Sequence, residues 1–177
     1  MTLEELHAEA QRQGAAYSRK VAEEYKTFWN SKHWDFVRRE RARWMLRELG
    51  HGRRDLKLLE VGCGIGFTTL EVAKSPMVAS ILAIDTAELA IREAMRLSLE
   101  YAPDVRKKVT FEIGDFFSAP GEGIYDLLYM HAVIEHIPDA GATFDQAYRL
   151  IKRTLFTHHS RLIAPRKPRQ KAFGPEI

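Results

Sequence analysis

The sequence has 177 residues with a single cysteine and no long apolar run, and both scarcities limit what the protein can be. Cys63 has no partner within the chain for a disulfide bond, which favours a reducing compartment. Met77–Ile84 is among the longest apolar runs, well short of the roughly 20 residues that a membrane-spanning helix needs. The first residues include Glu4 and Glu5 and lack the apolar stretch of a secretory signal. We therefore predict a cytoplasmic protein with no membrane span.

Charge is nearly balanced over the whole chain but uneven along it. The formal net charge is +3, yet residues 149–177 carry eight Lys or Arg against one Glu, which leaves −4 for residues 1–148. A basic segment of this kind binds nucleic acid in some proteins and is simply solvated in others. We favour the solvated interpretation and keep nucleic acid as an alternative partner.

Two helices are predicted before residue 52. Apolar residues recur at close to 3.6-residue intervals over residues 3–28 and again over residues 34–49. Arginines crowd the polar faces of the second helix, namely Arg38, Arg39, Arg41 and Arg43. Such a run is typical of a solvated helix face. The alternative is that one of these arginines reaches an acidic group of a ligand.

From Leu56 onward, predicted strands alternate with predicted helices. The strands are Leu56–Val61, Ala79–Ile84, Val109–Ile113, Ile124–Met130 and a short Arg161–Ala164. The helices are Phe67–Lys74, Glu88–Tyr101 and Ala142–Thr154. This alternation predicts an α/β fold with a parallel sheet and helices packed on both of its faces.

A glycine-rich turn after the first strand predicts a ligand site. Gly62, Gly64 and Gly66 stand at alternate positions shortly after Glu60. Glycine allows positive φ and a close approach of ligand to backbone, and the following helix start presents unpaired N–H groups. The plainer alternative is a glycine-rich βα turn without a ligand.

The other strand ends carry groups that suit an adenosine. In parallel sheets, ligands bind beyond the carboxyl ends of the strands. Asp85 ends the second strand 19 residues after Gly66, the spacing of a carboxylate that accepts hydrogen bonds from a ribose diol. Asp115 and Phe116 follow the third strand and offer a carboxylate and a ring to an adenine. His131 stands near the end of the fourth strand. These groups predict an adenosine-containing cofactor.

The glycine pattern separates two kinds of cofactor. A dinucleotide site needs G-x-G-x-x-G, and here Phe67 stands where the third glycine belongs, which prevents close packing of helix on strand. The observed G-x-G-x-G sets Glu60 two residues before the turn, where it can meet a cationic amino group, and it needs no pyrophosphate. These features favour S-adenosylmethionine over a dinucleotide.

Four motifs, in order, resemble the class I S-adenosylmethionine-dependent methyltransferases, most closely the branch with ubiquinone and menaquinone biosynthesis enzymes. They are E-V-G-C-G-I-G at 60–66, I-D-T at 84–86, G-D-F at 114–116 and Y-D-L-L-Y-M-H-A-V-I-E-H-I-P-D at 125–139. The resemblance covers about residues 56–155. It implies a Rossmann-like α/β fold and methyl transfer from S-adenosylmethionine, with S-adenosylhomocysteine as the product.

The resemblance also implies roles for individual positions. The backbone of the glycine turn would line the amino acid portion of the cofactor, and Asp85 would bind both ribose hydroxyls. Asp115 and Phe116 would hold the adenine, and His131 would lie near the methionine portion and the acceptor. The cofactor-binding residues so implied are Glu60, Gly62, Cys63, Gly64, Gly66, Asp85, Thr86, Asp115, Phe116 and His131.

Methyl transfer is an in-line displacement for which a protein mainly supplies alignment and desolvation. A general base is needed only if the acceptor arrives protonated, and His131 and His136 are the catalytic candidates. For His136, a purely structural place at a helix start is the alternative.

Some relatives bind a divalent metal through E-x-x-E-H. Glu135 and His136 match the last two positions, but Ala132 stands at the first, so we predict no metal.

The resemblance weakens after the last predicted helix. Family members usually continue with a glycine-rich turn, a fifth strand and two more strands that form an antiparallel edge. Here residues 157–160 stand at the turn, and Pro165, Pro168 and Pro175 disfavour strands beyond it. We therefore expect the last two strands of the family to be missing and the fifth strand to be an open edge. A homodimer that covers the edge, a truncated product with weak activity, and a non-catalytic cofactor-binding subunit all remain open.

These observations predict an N-terminal helical lid at 1–52, a cofactor-binding core at 53–164 and a basic tail at 165–177. The first function hypothesis is S-adenosylmethionine-dependent methyl transfer to a small-molecule, lipid-linked or sugar-linked acceptor. The second is a catalytically weak, methyltransferase-like binding or regulatory protein, and the third is a nucleic-acid methyltransferase that uses the basic tail. Closure of Tyr17, Tyr25 and Trp29 over the site would favour the first.

Overall fold

A computed structural model describes residues 1–24, 32–48 and 53–158. The helices are α1 (Leu3–Glu24), α2 (Lys32–Glu48), α3 (Phe67–Ala73), α4 (Glu88–Ser98), α5 (Pro103–Arg106) and α6 (Ala140–Leu150). The strands are β1 (Leu56–Val61), β2 (Val78–Asp85), β3 (Val109–Ile113), β4 (Tyr125–His131) and β5 (Ile151–His158). Single 3₁₀ turns lie at Phe116–Ser118 and Ile134–His136.

The five strands form one parallel sheet in the order β3-β2-β1-β4-β5. β1 is covered on both faces, because Leu58 and Leu59 point to opposite sides and are 1% and 0% exposed. Leu58 packs in a cluster with residues of α2, α3 and α4, whereas Leu59 packs with residues of α6. The predicted parallel sheet with helices on both faces is confirmed.

The strand order predicts a ligand site at the carboxyl ends of β1 and β4. From β1 the chain winds outward to β2 and β3, then returns to start again on the other side with β4. The chain therefore leaves the paired carboxyl ends of β1 and β4 in opposite directions, at the point where the winding direction reverses, which is where open α/β sheets bind ligands.

The boundary between α6 and β5 differs from the prediction. Asp139 caps α6 by accepting a hydrogen bond from the Ala142 N–H at 2.9 Å, and the helix ends at Leu150. β5 follows without a loop, so residues 151–154, predicted as helix, are strand, and residues 157–158, predicted as a turn, also belong to β5. The branched side chains Ile151 and Thr154 favour a strand, and parallel pairing with β4 outweighs the local helical spacing.

The strand predicted at Arg161–Ala164 and the tail at 165–177 lie outside the described residues, as do Tyr25 and Trp29 of the predicted lid. Within the described part of the chain, β5 pairs only with β4, and the homodimer that would cover its outer edge stays a prediction. None of the described helices is both long and apolar enough to cross a membrane.

Lys108 ties the end of α3 to the start of β3, and this contact yields a stability prediction. Its Nζ donates to the backbone carbonyls of Ala73 and Ser75, at 3.0 Å each. Lys108→Met keeps the aliphatic stem but removes the donor from two carbonyls at a helix end. We expect the free energy of unfolding in urea to fall by about 1 kcal/mol. The exposed neighbour Lys107→Met is the control, and an equal loss there would contradict the role given to Lys108.

Candidate functional site

The turn after β1 requires glycine for two reasons. Gly62, Gly64 and Gly66 have φ values of 71°, 54° and 75°, in the left-handed region. A Cβ at Gly62 would lie 2.1 Å from Cγ2 of Val133, and one at Gly66 would lie 2.6 Å from the ring of Phe111. Neighbouring side chains thus approach the turn as closely as glycine allows, and they fix its position against the strand ends.

Hydrogen bonds within the protein occupy the N–H groups of this turn. Gly62 and Cys63 both donate to the carbonyl of Ile84, at 2.8 and 3.1 Å. Gly64 donates to Oδ2 of Asp85 at 2.7 Å. A pyrophosphate cradle needs N–H groups that point freely at the ligand. The geometry of the turn therefore suits a cofactor without phosphates better than a dinucleotide.

Asp85 lies at the end of β2 and is 8% exposed. Its Oδ2 accepts the Gly64 N–H, and its Oδ1 accepts the N–H of Ala87 at 2.8 Å. Burial raises the pKa of this carboxyl, while the backbone N–H groups of Ala87 and Gly64 lower it. Each carboxylate oxygen has a second lone pair, so Asp85 retains acceptor capacity for a pair of hydroxyl groups.

Asp115 follows β3 and contacts both the 3₁₀ turn after it and α1. Its Oδ1 accepts the N–H groups of Phe117 and Ser118, at 2.7 and 3.2 Å, and so caps the 3₁₀ turn. Its Oδ2 lies 2.5 Å from Nδ1 of His7 in α1. Phe116 beside it is 4% exposed. The carboxylate predicted to bind the adenine amine is thus in contact with His7 in this structure.

These strand ends open onto one cleft of about 540 Å³, a volume that includes its open mouth. One wall is α1, which contributes Leu6, Glu9, Ala10 and Gln13. The opposite wall contains six of the predicted site residues, namely Gly62, Asp85, Thr86, Asp115, Phe116 and His136. The other residues that line it are Val61, Gly114, Phe117, Val133, Ile137 and Pro138.

α1 lies directly against the site because of a glycine of its own. A Cβ at Gly14 would lie 2.5 Å from Oγ1 of Thr86, so only glycine permits this approach. A Cβ at Gly64 would lie 3.4 Å from the hydroxyl of Tyr17, which places this tyrosine over the glycine turn. Tyr17 is the described member of the three aromatic residues predicted to close over the site.

Glu60 lies behind the turn and outside the cleft lining. It is 3% exposed, and its carboxylate accepts hydrogen bonds from the hydroxyls of Thr69 and Tyr129, the latter at 2.5 Å. Burial raises the pKa of Glu60 to about 7, although these two hydrogen bonds act to lower it. The predicted contact between Glu60 and a cationic amino group stays a prediction.

The two candidate histidines lie on either side of the loop after β4: His131 ends β4, and His136 ends the 3₁₀ turn that follows. Nδ1 of His131 lies 3.1 Å from Nη1 of Arg41 in α2, and because a guanidinium can only donate, this Nδ1 accepts. His136 is exposed and lines the cleft, and its backbone carbonyl accepts a hydrogen bond from Nε2 of Gln13 at 2.8 Å. Between them Ala132 has a φ of 52°, which is uncommon outside glycine. Of the two histidines, His136 has the direct access to the cleft.

Five predicted site residues lie outside the cleft lining: Glu60, Cys63, Gly64, Gly66 and His131. Burial raises the pKa of the Cys63 thiol well above its usual value, so it is a poor nucleophile. Within the described ranges, no three His, Cys, Asp or Glu side chains converge as a metal site requires. The absence of a metal stays a prediction.

Sequence reasoning predicted an N-terminal lid, but it identified neither the residues of α1 that line the cleft nor the contacts of His7 and Arg41. His7 meets Asp115 across 108 positions of sequence. No local pattern encodes such a contact. For the contact of Arg41, the one available signal was the number of arginines on the second helix. We assigned these arginines to a solvated helix face rather than to a ligand.

Comparisons with known proteins give a family match and several similar proteins. Residues 59–154 match the family described as Methyltransferase domain. Ajmaline N-methyltransferase from Rauvolfia serpentina is 33% identical over 88 residues, which is 49% of this chain and 29% of that protein. Ubiquinone biosynthesis O-methyltransferase from Leptothrix cholodnii is 30% identical over 97 residues, 55% of this chain and 40% of that protein.

A solved structure extends the likeness to the fold. Magnesium protoporphyrin IX methyltransferase from Synechocystis PCC 6803, with bound S-adenosylmethionine, superimposes with a TM-score of 0.66 at 18% identity, over 82% of this chain and 74% of that chain. At this identity the likeness shows the fold alone. The match to the two curated relatives spans 29% and 40% of their lengths, so it concerns one part of each of those proteins.

Proposed function

Because this chain belongs to the methyltransferase-domain family, we propose that it binds S-adenosylmethionine in the cleft and transfers its methyl group to a small-molecule acceptor. The observation that carries the proposal is the convergence of Asp85, Asp115 and Phe116 at neighbouring strand ends, on one cleft. These groups match a ribose diol, an adenine amine and an adenine face. The engaged N–H groups of the glycine turn support a cofactor that has no phosphate.

The chain's own contribution to the reaction is alignment and exclusion of water. When bound, the cofactor supplies an electrophilic methyl group on a positively charged sulfur. Asp85 orients the nucleoside, and α1 covers it with apolar side chains such as Leu6 and Ala10. A dry, ordered site of this kind favours in-line displacement. If the acceptor arrives protonated, His136 is the base we propose, because it faces the cleft.

The acceptor is proposed at the level of its class. The two curated relatives are named for methylation at nitrogen and at oxygen, so their likeness to this chain supports neither atom over the other. The name of the second relative supports a place in the ubiquinone-like branch. We accordingly propose a small organic acceptor, which includes lipid-linked and sugar-linked intermediates.

Calorimetric titration with S-adenosylhomocysteine tests the proposal directly. We expect one equivalent of S-adenosylhomocysteine to bind, and S-adenosylmethionine to compete with it for the same site. The control ligand is NAD⁺, which carries the same adenosine but places a pyrophosphate against the glycine turn. Binding of NAD⁺ at least as tight as that of S-adenosylhomocysteine would contradict the proposal.

A further inference from the structure

Asp115 already accepts four hydrogen bonds from the protein itself. Oδ1 accepts the backbone N–H groups of Phe117 and Ser118. Oδ2 accepts the Ser118 hydroxyl at 3.1 Å and, because a carboxylate only accepts, Nδ1 of His7 donates to it at 2.5 Å. Each carboxylate oxygen has two lone pairs, so four bonds fill both oxygens. An amino group that binds Asp115 must therefore replace one of its present partners.

His7 is the one of these four partners that does not belong to the 3₁₀ turn that Asp115 caps. The N–H groups of Phe117 and Ser118 and the Ser118 hydroxyl all come from the two or three residues that follow Asp115. His7 comes from α1, 108 positions away along the chain. Breaking the bond from His7 leaves the capped turn as it is, so His7 is the partner whose departure changes the structure least.

His7 also approaches Asp115 from the helix that walls the cleft. Leu6 before it and Ala10 after it line the cleft opposite Asp115, whereas Ser118 does not line it. The lone pair that His7 uses is thus the one turned toward α1 and toward a base that lies under this helix. The His7 side chain is 29% exposed, so the imidazole can turn toward solvent when it is released.

α1 keeps other contacts when His7 leaves. Nε2 of Gln13 donates to the backbone carbonyl of His136 at 2.8 Å, and Gly14 lies against Thr86. Both contacts lie more than one helical turn after His7, and neither involves Asp115. Rotation of a single side chain is therefore sufficient to open the acceptor position on Asp115.

We infer that His7 competes with the 6-amino group of the bound nucleobase for Oδ2 of Asp115, and so determines how strongly the site selects adenine. The identity of the ligand rests on the proposed function. The bond gained from the amino group and the bond lost from His7 are both N–H bonds to a carboxylate, so the net gain is small.

The competition also removes the penalty on a purine that lacks the amino group. A site rejects such an analogue strongly when the analogue leaves a buried polar group unpaired. Here His7 stays on Asp115 and keeps it paired. His7 itself is not among the residues that line the cleft, so a purine without the amino group enters beside an undisturbed His7–Asp115 pair. His7 thus weakens the discrimination that Asp115 alone would give.

Two ligands that differ only in the 6-amino group test the inference: S-adenosylhomocysteine, and the same compound with purine in place of adenine. We expect the parent chain to bind the two with affinities within about threefold of each other. In His7→Ala, which suits a helix, S-adenosylhomocysteine should bind about tenfold or more tighter than the purine analogue. Calorimetric titration gives the ratio of the two affinities, in which any loosening of α1 cancels because it affects both ligands alike.

Two further variants show whether the effect belongs to the hydrogen bond of His7. His7→Asn keeps an N–H donor near the place of Nδ1 and should keep the ratio close to that of the parent chain. Ser118→Ala removes the other partner of Oδ2, on the side away from α1, and should also leave the ratio unchanged. The inference is overturned if the ratio is the same in His7→Ala as in the parent chain, or if Ser118→Ala raises it equally.

Failure of the inference and failure of the proposed function give different results. If the parent chain binds S-adenosylhomocysteine and His7 has no effect on the ratio, the proposed function stands and the inference alone is wrong. If neither the parent chain nor His7→Ala binds either ligand, the proposed function is wrong and the inference is wrong with it.

Discussion

Asp85→Ala is expected to weaken the binding of S-adenosylhomocysteine about a hundredfold or more in calorimetric titration. The variant loses two hydrogen bonds from ribose hydroxyls to a carboxylate, on the order of 1.5–3 kcal/mol each. The low exposure of Asp85 strengthens them, because little water competes for its oxygens. Asp85 stands at the centre of the site, between the glycine turn and the start of α4, so no other single side chain is expected to matter as much for cofactor binding.

Asp85 also holds the N–H groups of Gly64 and Ala87, so the fold of the variant has to be checked separately. Thermal unfolding without ligand reports any loss of structure, and Asp85→Asn is a second variant that keeps the shape of the side chain and one acceptor oxygen. Asp104→Ala, on the exposed first turn of α5, is the matched control. An unchanged affinity in a folded Asp85 variant would overturn the ribose assignment.

Glu60 is expected to make the stability of the protein fall as pH rises toward neutrality. Its pKa is about 7 in the folded chain and 4.5 as its ordinary value. The folded state thus holds the proton more tightly, so this contribution is complete below about pH 4.5 and is lost as pH rises through about 7. At about 1.4 kcal/mol per pKa unit, the free energy of unfolding falls by about 3 kcal/mol as Glu60 ionises. The cause is burial of a carboxylate, with only hydroxyl partners in direct contact.

Glu60→Gln isolates this contribution, because the amide has nearly the same shape and does not ionise. Urea unfolding of both proteins at several pH values between about 5 and 8 is the measurement. We expect the variant to gain about 3 kcal/mol relative to the parent chain across that range. Glu112→Gln, on the exposed side of β3, should follow the parent chain. Parallel pH profiles for the parent chain and Glu60→Gln would show that Glu60 is ionised throughout.

The sheet was predictable from the sequence because its signals are local. β1, β2 and β4 are short, mainly apolar segments, whereas β3 alternates apolar and polar residues. The neighbours of each strand follow from the right-handed winding of βαβ units. The strand at residues 151–158 was not predicted. Its first residues continue the helical spacing of α6, and only pairing with β4 makes them a strand, which is information that lies 26 residues earlier, where Tyr125 meets Ile151.

The site residues also fall into two groups: those that local sequence signals place, and those whose orientation depends on how the helices pack. The convergence of Asp85, Asp115 and Phe116 on one cleft was predictable, because strand ends in a parallel sheet necessarily meet, so spacing along the chain translates into proximity. His131 and Glu60 were also predicted as site residues, but the direction in which their side chains point was not predictable. Alternation along β4 turns Tyr129 and His131 toward α2 and α3, and thus toward Arg41 and Glu60 rather than into the cleft. Such details depend on how helices dock, which a single sequence does not encode locally.

α1 has a consequence for how long a ligand stays bound. Every strand pairing of the sheet lies within residues 56–158, whereas His7 reaches Asp115 across 108 positions. Closing so long a loop costs entropy and no strand pairing depends on it, so α1 can detach while the sheet stays intact. For a ligand bound in the cleft, we therefore expect the opening of α1 to limit the residence time. The amide hydrogens of α1 should exchange with solvent far sooner than those of β1.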